Sequence, residues 1–239
     1  FTLIMCVLYH VVYFKFDACK LLIGLFEDNA NPLPMSKLPK DFSFGELPYE
    51  FDHFEKYLER AMKRYPALEK VGINTFFNGP ESFTTDNQHL MGEAPHLKNF
   101  FVACGFNSRG IGGGGGIGKV MAEWIDLGYP PVDVWESDCR RAMPFQGDET
   151  YLEGRVAEAL ERSYAMHWPY QQYKSGRGIR KSPFYDQLVG IGAVYGEVAG
   201  WERPNWYAPK GAKAEYEYSY GRQNWFPYAA EEMKAIRQG

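Results

Sequence analysis

The sequence has few cysteines, no long hydrophobic run and no excess of positive charge. Its 4 cysteines among 239 residues form no CxxC pair and show no metal-ligand spacing, which argues against a disulfide scaffold or a zinc site and indicates a reducing compartment. The 26 lysines and arginines are outnumbered by 30 aspartates and glutamates, so the formal net charge is −4. Because a surface that binds nucleic-acid phosphates is clustered and basic, we expect no nucleic-acid partner.

The longest apolar stretch covers residues 1–14 and is too short to span a membrane. A spanning helix needs about 20 apolar residues, and His10 and Lys15 interrupt this run. The stretch also lacks the basic start and the small-residue cleavage site of a signal peptide. We therefore expect no membrane span, and two adjacent strands near Leu3–Leu8 and Val11–Phe16 instead.

Glycine is abundant, with 25 residues, and five of them are consecutive at 112–116. The apolar run Phe100–Cys104 predicts a buried strand, the glycine-rich stretch predicts a connector, and Lys119–Leu127 predicts an amphipathic helix. Together they would bring backbone N–H groups and the positive end of a helix close to a ligand, such as a phosphate or an electron-rich cofactor ring. The apolar side of the helix comprises Val120, Met121, Trp124 and Ile125.

The same glycines match two nucleotide-binding templates. Residues 113–118 fit GxGxxG, with Asp133 and Glu136 at about the distance of a ribose-binding acid, and residues 113–119 fit GxxxxGK. However, Val120 stands where a Walker loop needs a hydroxyl for magnesium, and in both templates the glycines follow a strand directly. A dinucleotide site and a flexible linker stay open as alternatives.

Two helices carry N-terminal capping patterns. Asp52 with Glu55 opens one helix, and Thr150 with Glu153 opens a second, expected at about 151–166. The first ends before a proline that follows a tyrosine. The histidines show no ligand spacing, so we expect no metal site.

The remaining segments are assigned by composition. Leu21–Phe26 predicts a third strand, residues 72–77 a further strand, and residues 229–237 a short helix. Glycine and two prolines at 128–131 predict a domain boundary. Residues 168–228 are rich in Tyr, Trp, Gly and Pro and predict loops with short strands.

Several blocks share their order and spacing with one enzyme family. They are LLIGLFEDNANP (21–32), FDHFEKYLERAMKRYPALEKVGI (51–73), NGPESFTTD (78–86), MGEAP (91–95), GFNSRGI (105–111), YAMHWP (164–169), RKSPFYD (180–186) and GWERPNWYAPKG (200–211). In these blocks the chain resembles the flavin-dependent sarcosine and dimethylglycine dehydrogenase family.

The resemblance implies an α+β chain. Residues 1–128 would form the C-terminal part of a D-amino-acid-oxidase-like flavin domain, with its β-sheet substrate layer and closing βα unit. Residues 129–215 would form a small central α+β domain, and 216–239 the truncated start of an aminomethyltransferase-like folate-binding domain. Since the chain does not begin with Met, we expect it to lie inside a longer protein. The ADP-binding segment, and a histidine that can carry FAD covalently, would lie outside it.

The resemblance also implies a flavin site at the glycine-rich connector. Backbone donors and a helix N-terminus there would stabilise the negative charge of reduced flavin. The implied flavin-contacting residues are Gly110, Ile111, Gly112 and Gly113, with Asn107 and Ser108 shaping the loop.

A catalytic role is implied for Tyr13. It matches the tyrosine of the family's YxR strand, which faces the substrate amine, and Lys15 stands where relatives carry arginine. Lysine and arginine are not equivalent where a carboxylate is held by two parallel hydrogen bonds.

The implied reaction is the oxidative demethylation of a small N-methylated amino acid, sarcosine or dimethylglycine. Hydride would pass from the N-methyl group to FAD, the one-carbon unit to water or tetrahydrofolate, and the electrons to an electron-transfer flavoprotein or oxygen. The protein would lie in the mitochondrial matrix if eukaryotic and in the cytoplasm if bacterial. Two alternatives stay open: a non-catalytic relative resembling the regulatory subunit of pyruvate dehydrogenase phosphatase, and a Rossmann-type NAD enzyme built on residues 113–118. We expect the chain alone to be inactive and to hold no FAD.

Overall fold

The computed structural model describes residues 4–7, 11–28 and 30–239, which divide into two compact units. One unit ends at Met166 and the other begins at His167. Each contains α-helices and small antiparallel sheets, which confirms the predicted α+β class. The predicted domain limits at 1–128, 129–215 and 216–239 stay predictions.

A three-stranded antiparallel sheet opens the first unit, in the order β1 (Ile4–Val7), β2 (Val12–Asp17) and β3 (Lys20–Leu25). Its strands confirm three of the sequence predictions. Along the central strand, Val12 and Phe14 are buried on one face, so Tyr13 and Lys15 point to the other face.

Helix α1 (Phe51–Arg64) belongs to the same hydrophobic core as the buried face of this sheet, through Tyr57 and Ala61. Its C-cap is Tyr65, directly before the proline, as predicted. The predicted capping pattern is wrong, because the N-cap is Glu50 and its side chain makes no capping hydrogen bond. Asp52 instead lies in the first turn, where its negative charge favours the helix dipole.

The predicted strand at 72–77 does not form. Phe76 instead packs its ring against Tyr49, Phe51 and Phe54, at centroid distances of 5.2, 6.1 and 5.1 Å. These aromatic contacts hold the segment in an irregular conformation.

A two-stranded antiparallel sheet, β4 (Leu90–Glu93) with β5 (Phe101–Cys104), leads into helix α2 (Gly110–Leu127). Met91 of β4 forms a hydrophobic core with the helix. The predicted glycine-rich connector is therefore wrong beyond residue 109, because the consecutive glycines are helical. Glycine disfavours a helix by only about 1 kcal/mol relative to alanine, and the helix has one apolar face at i, i+3, i+4 and i+7. That face comprises Ile117, Val120, Met121 and Trp124.

The ends of α2 and the next helix correct further details. Ile125 lies outside the apolar face and is 55% exposed, and Gly128 ends α2 in the left-handed conformation. Helix α3 (Glu149–Tyr164) begins two residues earlier than predicted, because Asp148 is its N-cap and accepts the Tyr151 amide at 2.9 Å.

The second unit is built around the hairpin of β6 (Ala193–Val198) and β7 (Trp201–Tyr207). Helix α4 (Tyr185–Gly190) precedes it, and α5 (Phe226–Gln238) confirms the predicted C-terminal helix. Within the described ranges, no helix combines the length and the apolar character needed to cross a membrane.

Candidate functional site

The loop Gly105–Arg109 joins β5 to α2, and we call it the elbow loop. Its backbone takes positive φ angles at Gly105 (65°), Asn107 (51°) and Ser108 (64°). Asparagine adopts this left-handed region more readily than other side chains do, whereas serine rarely does. Such conformations persist only where the surroundings hold them, and they cluster at functional sites.

Asn107 is the anchor of the elbow loop and is only 1% exposed. Its Oδ1 accepts the Thr84 amide at 2.8 Å, and its Nδ2 donates to the carbonyl of Gly105 at 2.8 Å. Its own carbonyl accepts a hydrogen bond from the Tyr164 hydroxyl at 2.8 Å. Beside it, Arg109 donates to the carbonyl of Asn87 at 3.1 Å. Two separate chain segments, the turn at residues 84–87 and Tyr164, therefore hold the loop in its strained shape.

The N-terminus of α2 is open. Its N-cap, Arg109, makes no side-chain capping bond, and the first turn contains no acidic residue. Gly113 is the first residue to donate back into the helix, to the Arg109 carbonyl at 2.9 Å, so the amides before it lie outside the helical hydrogen-bond ladder. Those amides belong to Gly110, Ile111 and Gly112. They can donate to an anion or to the electron-rich edge of a ring.

The space around the consecutive glycines 112–116 of α2 is largely open within the described part of the chain. A Cβ atom added at Gly112, Gly114 or Gly115 would meet no heavy atom within 4 Å. Ile111, in the first turn, is fully exposed. The predicted flavin-contacting residues thus share one accessible helix end.

Tyr13 lies on β2 directly opposite Gly24 of β3. Its ring extends across that glycine, since a Cβ at position 24 would lie 2.0 Å from the Tyr13 Cζ atom. The ring centroids of Tyr13 and Phe26 are 5.6 Å apart. The glycine therefore provides the room that the phenol occupies.

Two aromatic residues join Tyr13 to the elbow loop. Phe26 stacks on Tyr164 with centroids 3.6 Å apart and an interplanar angle of 8°, and the Tyr164 hydroxyl bonds the Asn107 carbonyl. Sequence reasoning missed both. Tyr164 lies 57 positions from its partner, so its only signal was its place in the YAMHWP block.

A turn beside the loop brings in further charged groups. Asp86 accepts two hydrogen bonds from Arg141, at 2.8 and 3.0 Å. His89 stacks on Phe106, with centroids 5.4 Å apart. Burial, together with the positive charges of Arg141 and Arg109, lowers the pKa of His89, so its ring is mainly neutral at pH 7. His89 was not predicted as part of the site, because the histidines show no ligand spacing and each was interpreted as a surface or hydrogen-bonded residue.

A cleft of about 180 Å³ lies beside the first turns of α2, and the residues that line it include His89, Phe106, Asn107 and Arg109. Across the described ranges, no three His, Cys, Asp or Glu side chains are arranged to share a metal ion. Cys19, Cys104 and Cys139 carry free thiols. What the cleft offers is backbone and side-chain hydrogen bonding with positive charge nearby.

The two nucleotide-binding templates are not supported. Both need glycines in the turn between a strand and a helix, whereas residues 113–118 lie inside α2. The adjoining strands also pair antiparallel, unlike the parallel strands of a βαβ unit. The Rossmann-type alternative is therefore wrong.

Comparison with known proteins identifies two family models. The model "FAD dependent oxidoreductase" matches residues 5–124, and "FAD dependent oxidoreductase central domain" matches residues 127–182. Two residues separate the two matches.

Three curated relatives cover most of the chain. It is 44% identical over 95% of its length to 4-methylaminobutanoate oxidase (formaldehyde-forming) of Paenarthrobacter nicotinovorans. It is 39% identical over 87% to mitochondrial sarcosine dehydrogenase of Mus musculus, and 36% identical over 91% to the mitochondrial pyruvate dehydrogenase phosphatase regulatory subunit of that species. The chain spans 27%, 23% and 25% of these relatives, about a quarter of their length.

Proposed function

Because the chain belongs to the FAD-dependent oxidoreductase family, we propose that it is part of a flavoenzyme that oxidises the N-methyl group of a small amino acid such as sarcosine or dimethylglycine. The observation that supports this most directly is the strained elbow loop at the open N-terminus of α2. It places unpaired backbone donors and a positive helix end at one accessible point.

The residues present fit a flavin. The first turn of α2 contains no acidic side chain that would compete for the amides of Gly110, Ile111 and Gly112. The open space around the following glycines leaves room for a flat ring. A helix N-terminus stabilises negative charge of the kind that a reduced flavin carries. When bound, FAD would supply the two-electron acceptor for the amine's hydride. Gly113, Asn107 and Ser108 would complete the support of the ring.

Tyr13 would orient the substrate. Its phenol can hydrogen-bond the amine and hold the methyl carbon in a reactive position. Lys15, on the same strand face, would offer the substrate carboxylate a single ammonium charge rather than the planar fork of an arginine. The chain's own contribution is thus binding and orientation.

A second candidate substrate is 4-methylaminobutanoate. The oxidase of that name shows 44% identity over 95% of the chain, against 39% over 87% for the sarcosine dehydrogenase. Its nitrogen also carries a methyl group but lies farther from the carboxylate, so the same amine oxidation would serve. A non-catalytic role like that of the phosphatase regulatory subunit is the third possibility, supported by 36% identity over 91%.

The wider reaction is part of the same proposal. The one-carbon unit would pass to water or to tetrahydrofolate, and the electrons to an electron-transfer flavoprotein or oxygen. FAD would be bound covalently, if at all, through a residue outside this chain. The protein would act in the mitochondrial matrix if eukaryotic and in the cytoplasm if bacterial, since relatives of both kinds exist.

The test is a visible spectrum of the full-length natural protein, before and after anaerobic addition of each of the three amines. We expect flavin absorbance that bleaches with at least one of them, and the rates of bleaching would rank the substrates. Flavin that bleaches with none would overturn the substrate class, and a colourless protein would favour the regulatory role. The 239-residue chain alone should retain no stoichiometric FAD.

A further inference from the structure

We propose that Tyr164 is a positioning residue, which holds the elbow loop in its flavin-binding shape and aligns it with the strand that carries Tyr13. The inference rests on the proposed function. Tyr164 closes α3, within the stretch that matches the central-domain model. The stretch that matches the central-domain model would therefore supply one residue, Tyr164, to a site that the flavin domain otherwise forms.

The hydrogen bond from Tyr164 fixes one peptide plane. Its hydroxyl donates to the carbonyl of Asn107 at 2.8 Å. Because a peptide unit is planar and trans, this bond also sets the direction of the Ser108 N–H. Ser108 has φ = 64°, an unfavourable angle for serine. A flip of this peptide plane would bring that φ to a negative value, and the Tyr164 hydroxyl opposes the flip.

Packing fixes the position of the hydroxyl itself. The Tyr164 ring stacks on Phe26 at 3.6 Å and meets the edge of Phe83 at 6.3 Å and 84°. Burial raises the pKa of Tyr164, and the nearby charge of Arg109 offsets this only in part. The hydroxyl therefore stays protonated, and remains a donor, throughout the neutral range.

The same ring reaches the substrate side through Phe26, which contacts Tyr13 at 5.6 Å. An amine oxidation requires the flavin-binding loop and the substrate-orienting tyrosine to be placed correctly relative to each other. Tyr164 contacts the loop directly, and the Phe26 ring lies between Tyr164 and Tyr13. Placement errors of about 1 Å can slow an enzymatic reaction by about 100-fold.

The test compares Tyr164→Phe with Tyr195→Phe in the full-length natural protein. The first removes the hydroxyl and keeps the stacked ring. The second is a matched control in the other unit, where the Tyr195 hydroxyl likewise donates to a backbone carbonyl, that of Tyr185 at 3.1 Å. Hydrogen–deuterium exchange of a peptide covering residues 105–110 reports on the loop, whether or not flavin is bound.

For Tyr164→Phe we expect loop exchange about fivefold faster, the effect of one lost hydrogen bond. We also expect a changed spectrum of the bound flavin, and a limiting rate of flavin reduction about fivefold lower at unchanged KM. Tyr195→Phe should leave all three unchanged. Wild-type values in Tyr164→Phe, or equal effects in the control, would overturn the proposal.

If Tyr164→Phe does not fold, the variant Phe26→Leu tests the positioning role instead. It keeps the hydroxyl but removes the stacked ring, so the same loop peptide should exchange faster, and unchanged exchange would refute the positioning role. Absence of bound flavin from the protein would refute the proposed function. The exchange rate of the loop peptide would still show whether Tyr164 keeps the loop in its observed conformation.

Discussion

At the residue scale, Tyr13 and Gly24 face each other across β2 and β3. An added Cβ at position 24 would lie 2.0 Å from Cζ and 2.2 Å from the hydroxyl oxygen of Tyr13. The strand backbones are held by their ladder, so the phenol has to move. The role proposed for Tyr13 can therefore be tested without changing Tyr13 itself.

We expect Gly24→Ala to lower kcat/KM for the amine by about 10- to 100-fold, because the phenol no longer orients the substrate. Steady-state kinetics with flavin content measured in parallel would check this, and flavin content should stay as in the wild type. Gly72→Ala is the matched control, since a Cβ there meets nothing within 4 Å. An unchanged kcat/KM for Gly24→Ala would exclude Tyr13 as an orienting residue.

At the element scale, helix α2 is stabilised by the packing of its C-terminal half. Met121 and Trp124 in that half are buried, whereas the glycines at 112–116 precede the apolar face. Each interior glycine disfavours a helix by about 0.8–1 kcal/mol relative to alanine. The N-terminal half is therefore helical because the chain continues into a packed helix.

Gly115→Ala should raise the free energy of unfolding of the 239-residue chain by about 0.5–1 kcal/mol, because an added Cβ there has open space. Chemical denaturation would measure it. Gly92→Ala should do the opposite, since Gly92 has φ = 115° and a Cβ would lie 2.5 Å from the Trp124 ring. A loss of stability in Gly115→Ala would contradict the open helix face.

Local sequence patterns predicted where several strands lie but not where the helices begin. Strands β2, β3 and β5 form where their apolar runs predict them, but the predicted burial of β5 is wrong, because Phe101 and Val102 are half-buried and Ala103 and Cys104 are exposed. The capping pattern at Asp52 failed because α1 already begins at Phe51, after Glu50, and the pattern at Thr150 failed because Asp148 makes the capping bond with the Tyr151 amide. The glycine run was misassigned because its helical state depends on packing farther along the chain.

At the scale of the whole molecule, the unit that begins at His167 contains a buried ion pair between Glu202 and Arg177. Glu202 is 5% exposed, and it accepts hydrogen bonds from Arg177 at 2.6 and 2.9 Å and from the Gly178 amide at 2.6 Å. Burial by itself would raise the pKa of Glu202, but these donors lower it overall. A carboxylate with a lowered pKa stabilises the fold above its unfolded pKa, and that stability is lost as the pH falls through the folded pKa.

Glu202→Gln should therefore lower the free energy of unfolding at pH 7 by about 3 kcal/mol, because Arg177 loses its charged partner. The difference from the wild type should shrink as the pH falls below about 4.3, the ordinary glutamate value. Denaturation at several pH values would check both. Glu215→Gln, at an exposed ion pair with Lys213, should change nothing. A constant difference down to low pH would contradict the ion-pair account.

The sequence by itself determined the strands around Tyr13, through side-chain alternation, and the closeness of Asn107, Ser108 and Gly110–Gly113, which are neighbours along the chain. The α+β class was implied by the resemblance of its motif blocks to a known family, and the structure confirmed it. The tertiary structure alone decided that the glycine run is helical. It alone brought Thr84 and Tyr164 to Asn107, across 23 and 57 positions. The physical reason is that hydrogen bonds and ring stacking depend on distance in space, and no local pattern carries that information.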